Sequence, residues 1–194
     1  MVTVDPSWSL ATLDRADTAA GGDGPSLRLA ALATPIGGLL AGFIDDRLAL
    51  LTYLDTGRPE WNLANVCRWT GAVPVEAEAP GLEALRAQLA EYFAGPRRSF
   101  DLPLADEGSD FQRAVWAALR AIPYGQTRSY GQVAAAVGNP RACRAVGAAN
   151  GANPLLIVTP CHRVVRTGGA LGGFGAGLPV KARLLALEGV EIEA

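Results

Sequence analysis

The stretch TPCHRVV at residues 159–165 contains the residue types needed for nucleophilic chemistry. It places Cys161, the last of three cysteines, directly before His162, the sole histidine of this 194-residue chain. A cysteine attacks as its thiolate, so a reactive thiol needs a lowered pKa or a base within reach. Any thiol–imidazole chemistry here must use His162, directly or through a water. Glu188, in LALEGVE, is the candidate carboxylate to orient that imidazole.

Other interpretations of these residues stay open. A lone buried cysteine is more often a packing residue than a reactive one. A metal site is disfavoured, because one histidine and three dispersed cysteines form no metal-binding spacing. The glycine-rich run GGALGGFGAG at 168–177 lacks the ending of a phosphate-binding loop. Its glycines instead favour close approach of the backbone to a ligand.

The local backbone decides how the thiol and imidazole are presented. Neighbouring residues on a strand point to opposite faces, so Cys161 and His162 could not meet in an ordinary strand. Pro160 disfavours a strand position and suits a tight turn or the first turn of a helix. The apolar run LLIV at 155–158 is typical of a buried segment that delivers the thiol at its end.

The residues before this segment predict three short helices. Apolar residues recur at helical spacing over 111–122. Ser129 can cap a second helix through Val137, and Pro140 suits the first turn of a third helix that ends near Ala149. Two short helices joined by VGNP have the proportions of a helix-turn-helix, whose second helix usually docks on DNA.

Charge is divided unevenly between the two halves of the chain. Residues 1–108 hold 8 basic and 15 acidic residues, a balance of −7, whereas residues 109–194 hold 9 basic and 4 acidic residues, a balance of +5. Arg141 and Arg144 fall on the second helix of the pair. This pattern favours a polyanion such as DNA as a partner. A generic helical pair with a solvated basic surface is the alternative.

The first half predicts a small antiparallel sheet and a helix. Short apolar runs at 26–33, 39–44 and 48–54 have the lengths of strands. Residues 81–94 carry apolar side chains at helical spacing, which places one set on a common face: Leu82, Leu85, Leu89 and Phe93.

The expected architecture is α+β with two domains. An N-terminal domain at 1–98 holds the small antiparallel sheet with helices, and SFDLPLADEG at 99–108 is a linker candidate. A mainly α C-terminal domain at 109–194 contains the helix-turn-helix. No apolar run is long enough to span a bilayer, and residues 1–17 lack the pattern of a signal peptide. Three sparse cysteines suit a reducing cytoplasm, which is the expected location.

Four segments, taken in order, are similar to one known family. IPYGQTRSYGQVA, GNPRACRAVGAANGANP, PCHRVV and GFGAGLPVKARLLALEG resemble the O6-alkylguanine-DNA alkyltransferases, the methylated-DNA–protein-cysteine methyltransferases. The resemblance implies a ribonuclease H-like N-terminal domain. It also implies direct-reversal DNA repair, in which O6-alkylguanine is flipped out of duplex DNA and its alkyl group moves irreversibly to Cys161. O4-alkylthymine is a second candidate substrate.

The resemblance implies a role for each residue that matches the catalytic motif. Cys161 is the implied alkyl acceptor, and His162 is the base that deprotonates it through a bound water. Glu188 is the carboxylate that orients the histidine. Asn153 is the hinge residue that ties the DNA-binding element to the active-site segment.

Further residues are implied to contact DNA or the flipped base. Arg144 fills the gap left in the stack, and Tyr130 crowds the phosphate of the target nucleotide. The implied contacts with DNA are Arg144, Tyr130, Asn139 and Thr167. The implied pocket residues are Tyr130, Val164, Phe174 and Gly175.

The expected partner is double-stranded DNA containing O6-alkylguanine, with no membrane and no obligate protein partner, and the protein is expected to be a monomer. No cofactor is expected. Some relatives carry a structural zinc in the N-terminal domain, but no zinc is expected in this chain, because its sole histidine is at position 162.

Two alternative functions remain on the residues alone. One is a cysteine hydrolase that uses Cys161, His162 and Glu188, and the other is a non-enzymatic helix-turn-helix DNA-binding protein.

Overall fold

The computed structural model describes residues 24–55 and 58–191, and the chain divides into two compact units between Glu107 and Gly108. The first unit contains β1 (Ser26–Thr34), β2 (Gly37–Ile44), β3 (Arg47–Tyr53), α1 (Pro59–Thr70), β4 (Val73–Glu76) and α2 (Leu82–Ala94). The second contains α3 (Asp110–Arg120), β5 (Arg128–Ser129), α4 (Tyr130–Ala136), α5 (Cys143–Gly151), a 3-10 helix (Cys161–Arg163), β6 (Val164–Val165) and α6 (Leu178–Leu187). The α+β prediction is confirmed. The N-terminal stretch assessed for a signal peptide lies outside the described residues.

The first unit is built on a four-stranded sheet in the order β3-β2-β1-β4. β1, β2 and β3 pair antiparallel, and β4 pairs with β1 in parallel. The three predicted strands match β1 to β3 within two residues. The apolar pattern did not predict α1 or β4. α1 buries few apolar side chains, so it lacks a clear apolar stripe. Its ends are marked instead by Pro59 in its first turn and by Gly71, in the left-handed conformation, after its last residue.

The buried face of α2 differs from the prediction at one position. Leu82, Leu85 and Leu89 are buried as expected, but Tyr92 completes the face and Phe93 is only half-buried. Both positions flank the leucine stripe, so helical spacing alone cannot choose between them. Phe100, which follows the helix, packs on the Tyr92 ring with the centroids 5.5 Å apart and so favours that side.

The segment 99–107 follows the surface of the first unit. The backbone N–H of Leu48 donates to Pro103 O at 2.8 Å, and the N–H of Ala105 donates to Leu48 O at 2.9 Å. Gln88 on α2 is hydrogen-bonded through its side-chain amide to both backbone groups of Asp101. These bonds hold most of the segment interpreted as a linker against β3 and α2.

Capping residues set the helix starts in the second unit. Ser129 caps α4 and forms a capping box with Gln132, which confirms the predicted start. The next helix begins at Cys143 rather than at Pro140, because Ala142 N–H bonds to Asn139 O at 2.9 Å and closes a turn first. The Trp116 indole on α3 donates to Ala149 O at 2.9 Å and anchors α5.

A short parallel ladder positions the candidate nucleophile. β5 and β6 pair Arg128 with Val164 and Ser129 with Val165. Since β5 leads directly into α4 and β6 follows the 3-10 helix, the ladder holds the start of α4 beside Cys161–Arg163. Within the described residues, no helix combines the length and apolar character needed to cross a bilayer.

Candidate active site

The thiol is delivered by a tightly turned, buried segment. Ile157 has φ +70°, and the N–H of Val158 donates to Leu156 O at 2.8 Å, which closes a γ-turn around Ile157. This conformation is rare and strained, above all for a β-branched residue. A wider turn, from Thr159 N–H to Leu155 O at 2.8 Å, encloses it. Surrounding contacts must therefore hold the segment in place.

Asn153 braces both ends of this turn. Its Oδ1 accepts from the N–H of Leu155 at 3.0 Å, and its Nδ2 donates to Thr159 O at 2.8 Å. The side chain is buried, so both bonds form away from competing water. Asn153 lies two residues after the end of α5 at Gly151, so these two bonds are the contacts through which it would link α5 to the segment before the thiol.

Cys161 and His162 occupy the first two positions of the 3-10 helix. A helical turn, unlike a strand, does not send neighbouring side chains to opposite faces, and Pro160 immediately precedes it as the N-cap. Both side chains are buried, with Cys161 2% and His162 0% exposed. The expectation that this segment is not an ordinary strand is confirmed.

Burial raises the pKa of the Cys161 thiol to about 11. Hydrogen bonds from the Asn153 side chain, the positive charge of Lys181 and backbone N–H groups at Cys161 and His162 favour the thiolate and oppose that rise. At neutral pH the group is therefore a protonated thiol. It can attack only after a base removes its proton.

The Glu188 carboxylate organises the site around His162. Oε1 accepts from His162 Nε2 at 2.8 Å and from Arg163 Nη2 at 3.0 Å. Oε2 accepts from Arg163 Nε at 2.8 Å and from the N–H of Gly125 at 3.3 Å. Burial alone would raise the pKa of Glu188, but the hydrogen bonds from His162 and Arg163 and the positive charge of Arg163 outweigh it and lower the pKa to about 2. Glu188 is thus ionised at any physiological pH.

This arrangement selects one tautomer of His162. Because Nε2 faces an ionised carboxylate, the network assigns the ring proton to Nε2 and leaves the lone pair on Nδ1. Nδ1 is buried without a hydrogen-bond partner among the described residues. Burial lowers the pKa of His162, although Glu188 opposes the shift, so the imidazole is neutral. Nδ1 is therefore available to accept a proton.

Sequence reasoning missed two cations of this site. Arg163 forms the two bonds with Glu188, donates through Nη1 to Ile122 O at 2.6 Å and lies 5.9 Å from the centre of the Tyr124 ring. Lys181 is fully buried on α6 and donates to the carbonyls of Val164 and Gly172. Two features of the sequence could have pointed to these cations: Arg163 directly follows Cys161 and His162 in PCHRV, and Lys181 is the sole lysine of the chain.

Tyr130 lies at the start of α4, between α5 and the glycine-rich loop. A Cβ at Gly147 would lie 3.8 Å from its ring, and a Cβ at Gly172 would lie only 2.6 Å from its hydroxyl. Burial raises the pKa of Tyr130, helped by the nearby Cys161 and opposed by Arg166. Val164 is buried beside the thiol segment, whereas Phe174 is half-buried and Gly175 exposed on the loop.

The other residues expected to contact DNA are on the surface. Arg144, the second residue of α5, is exposed, as are Asn139 in the preceding turn and Thr167 after β6. Exposure leaves these side chains accessible to a phosphate or a base. Among the described residues, no three or more His, Cys, Asp or Glu side chains group as a metal site would require.

Comparison with known proteins identifies the family. Residues 110–190 match the family model described as 6-O-methylguanine DNA methyltransferase, DNA binding domain. A Bacillus subtilis protein, the constitutive methylated-DNA–protein-cysteine methyltransferase, is 44% identical over 156 residues, 80% of this chain and 91% of the relative. The chain belongs to the methylated-DNA–protein-cysteine methyltransferase family.

Other members of the methyltransferase family support this assignment. The Methanosarcina acetivorans methyltransferase is 55% identical over 115 residues, 59% of this chain and 73% of the relative. The crystal structure of Mycobacterium tuberculosis O6-methylguanine methyltransferase has a TM-score of 0.71 and 40% sequence identity, covering 84% of this chain and 92% of that one. The same M. tuberculosis protein has been solved in complex with DNA. The resemblance found in the sequence is confirmed.

Proposed function

We propose that this protein repairs DNA by direct reversal, transferring the alkyl group of O6-alkylguanine to its own Cys161. O4-alkylthymine is the second candidate substrate. The observation that carries the proposal is the buried arrangement of Cys161, His162 and Glu188 in a member of the methyltransferase family. We expect the partner to be double-stranded DNA.

His162 activates the thiol in this mechanism. Its neutral ring presents Nδ1 as a proton acceptor, and Glu188 stabilises the imidazolium that forms. The proton reaches Nδ1 directly or through a water. A thiol with a pKa of about 11 and a neutral imidazole suit a site that stays unreactive until substrate fills it.

The alkyl transfer is a displacement at carbon. The Cys161 sulfur forms a bond to the alkyl carbon, the bond from that carbon to O6 breaks, and guanine leaves with the bonding electrons. A proton or a hydrogen-bond donor offsets the charge that develops on the leaving guanine, and the Tyr130 hydroxyl is our candidate. The product is a thioether, which water does not readily hydrolyse. Each molecule therefore reacts once.

DNA must present the lesion outside the helix. An O6-alkyl group within the base stack is beyond the reach of a buried thiol, so the nucleotide has to rotate out. We assign duplex binding to α4 and α5, with Arg144 filling the space left by the flipped base and Asn139 and Thr167 contacting the DNA around it. Tyr130 crowds the target phosphate, and the flipped base occupies a pocket that includes Val164, Phe174 and Gly175.

A labelled duplex tests the proposal directly. The protein is incubated with DNA carrying O6-[methyl-³H]methylguanine, and the label is mapped by peptide analysis. We expect label on Cys161 only, with a plateau at equimolar transfer. Cys161→Ala should abolish transfer, whereas Cys67→Ala, which removes a cysteine of α1 in the first unit, should preserve it.

Three outcomes would contradict the proposal. Label on another residue would reassign the acceptor. Repeated turnover would indicate hydrolysis, the alternative of a cysteine hydrolase. Repair that survives Cys161→Ala would leave only a DNA-binding role for this site. The monomeric state and cytoplasmic location remain predictions from the sequence.

A further inference from the structure

Thr159 lies two residues before the thiol and joins two tight turns. Ile157, which precedes it, is the centre of the γ-turn with φ +70°. Pro160, which follows it, has φ −80° and ψ 66°, and the N–H of Cys161 donates to Thr159 O at 2.8 Å, which closes an inverse γ-turn around Pro160. The orientation of Cys161 therefore depends on how firmly Thr159 is held between these turns.

Every polar group of Thr159 has a hydrogen-bond partner. Its backbone N–H donates to Leu155 O at 2.8 Å, and its carbonyl also accepts from Asn153 Nδ2 at 2.8 Å. Its hydroxyl accepts from Arg120 Nη1 at 3.1 Å. Thr159 is 0% exposed, and a hydroxyl that lacks a partner at such a site is unfavourable, so the bond from Arg120 stabilises this position.

The bond from Arg120 differs from the others because it comes from a distant element. The backbone bonds are made within the stretch of chain that carries the thiol, whereas Arg120 is the last residue of α3, 39 positions before Thr159. α3 is in turn held to α5 by the bond from the Trp116 indole to Ala149 O. The Thr159 side chain thus attaches the thiol segment to a helix that is itself anchored.

We propose that Thr159 is a positioning residue for alkyl transfer: its hydroxyl, held by Arg120, fixes the junction of the two γ-turns and so aims the Cys161 sulfur at the alkyl carbon. The inference rests on the proposed function, because it assigns a role within that reaction. Displacement at carbon needs the sulfur, the carbon and the leaving oxygen nearly in line, and a misplacement of about 1 Å slows such a step about 10²-fold. The effect of Thr159 and Arg120 is transmitted through the backbone of the segment.

Two substitutions at Thr159 separate positioning from packing. Thr159→Val keeps the shape of the side chain and removes the bond to Arg120, whereas Thr159→Ser keeps the hydroxyl and removes a buried methyl group. We expect Thr159→Val to slow single-turnover methyl transfer from the duplex about tenfold, with the half-saturating DNA concentration unchanged. Thr159→Ser should transfer at nearly the wild-type rate. A packing role predicts the opposite order, with Thr159→Ser as the slower variant.

A double-mutant cycle assigns the effect to the bond itself. Arg120→Leu should slow transfer to a similar extent, and the double variant Arg120→Leu/Thr159→Val should be no slower than the slower single variant, because both changes remove the same bond. Arg113→Leu, which removes an exposed arginine from the same helix, is the matched control and should transfer at the wild-type rate. Additive losses in the double variant, or a wild-type rate in Thr159→Val, would overturn the proposal.

Hydrogen exchange tests the anchor without alkyl transfer. The backbone N–H of Cys161 is bonded to Thr159 O, so its exchange with deuterium, measured by nuclear magnetic resonance, reports whether the turn is held. We expect faster exchange in Thr159→Val and Arg120→Leu, and exchange at the wild-type rate in Thr159→Ser. The N–H of Leu184, a buried residue of α6, is the reference for global unfolding.

The outcomes are separable. If the wild-type protein transfers no methyl group while exchange at Cys161 follows the expected order, the proposed function fails and the anchor stands. If exchange at Cys161 stays at the wild-type rate, or accelerates only in step with Leu184, the proposal is wrong even where transfer slows. Urea unfolding establishes that each variant is folded under the conditions of both assays.

Discussion

The ionisable groups around the thiol control one another's protonation. The Glu188 carboxylate accepts hydrogen bonds from His162, Arg163 and Gly125, so it remains charged and directs the imidazole proton to Nε2. Burial keeps Cys161 protonated and His162 neutral. The resting site therefore holds a protonated thiol and a neutral base rather than a preformed ion pair.

Replacement of Glu188 by glutamine should impair both repair and folding. We expect methyl transfer to slow about 10- to 100-fold, because the tautomer of His162 is no longer fixed by a charged acceptor. The free energy of unfolding should fall by about 3–5 kcal/mol at pH 7, since Arg163 loses its buried counterion. Single-turnover transfer assays and urea unfolding measure the two effects, and Glu191→Gln, at an exposed site on the same segment, is the matched control.

The stability difference should depend on pH in a defined direction. The pKa of Glu188 is lowered in the folded state to about 2 from 4.5, so its ionisation stabilises the fold fully above pH 4.5. That contribution, about 3 kcal/mol, is lost as the pH falls from 4.5 towards 2. The difference in free energy of unfolding between wild type and Glu188→Gln should therefore become smaller as the pH falls from 4.5 towards 2. A difference that stays constant over this range would exclude the ionisation of Glu188 as its source.

At the scale of elements, short backbone contacts assemble a site from segments far apart in the chain. The β5–β6 ladder holds the start of α4 beside the 3-10 helix, and Asn153 braces the strained turn before the thiol. The glycine-rich loop closes over Tyr130 because Gly172 has no side chain to obstruct the ring. The close approach of the loop to Tyr130 therefore depends on a backbone position that carries no side chain.

Two neighbouring glycines provide a test of this packing. In Gly172→Ala the new methyl group would lie 2.6 Å from the Tyr130 hydroxyl and 2.9 Å from its ring, so the tyrosine must move. A displacement of about 1 Å should slow methyl transfer about 10²-fold. In Gly173→Ala the Cβ meets nothing within 4 Å, so transfer should stay at the wild-type rate. Rates of methyl transfer are measured in single turnover on the duplex. Equal rates for the two variants would contradict the close approach of Gly172 to Tyr130.

At the scale of the whole molecule, charge separates the two units. The balance of −7 up to residue 108 contrasts with +5 beyond it, and the exposed Arg144 lies on α5 in the basic unit. DNA should therefore associate with the second unit, and its phosphates should be repelled by the first.

Arg144→Ala should separate base flipping from chemistry. An intercalated side chain offsets part of the unstacking cost, so loss of about 1.4 kcal/mol of that compensation slows duplex repair about tenfold. Reaction with free O6-methylguanine requires no unstacking and should be unchanged. Arg113→Ala, which removes an exposed arginine paired with Asp110 on α3, controls for the loss of one charge. Equal losses on both substrates would argue against a role in the stack.

Local sequence determined the parts of this protein that depend on neighbours along the chain. Ser129 and Gln132 are three residues apart, the spacing at which their side chains can bond to the free backbone N–H groups at the start of a helix, and they form a capping box. Pro160 disfavours a strand at Cys161 and His162. Through the resemblance, the motif around Cys161 also indicated the family and the reaction. These features need only short-range geometry or a distinctive order of residues.

Tertiary structure decided how distant residues meet. The sequence named Glu188 as the carboxylate for His162, but only the fold brings the two together across 26 positions and fixes the imidazole tautomer through their hydrogen bond. Arg163 and Lys181 are buried cations whose partners lie on other segments, so no spacing within the sequence predicts them. The choice of Tyr92 over Phe93 likewise depended on Phe100 packing from outside the helix. Burial, hydrogen-bond partners and pKa values arise from the full set of neighbours, which exists only once the chain has folded.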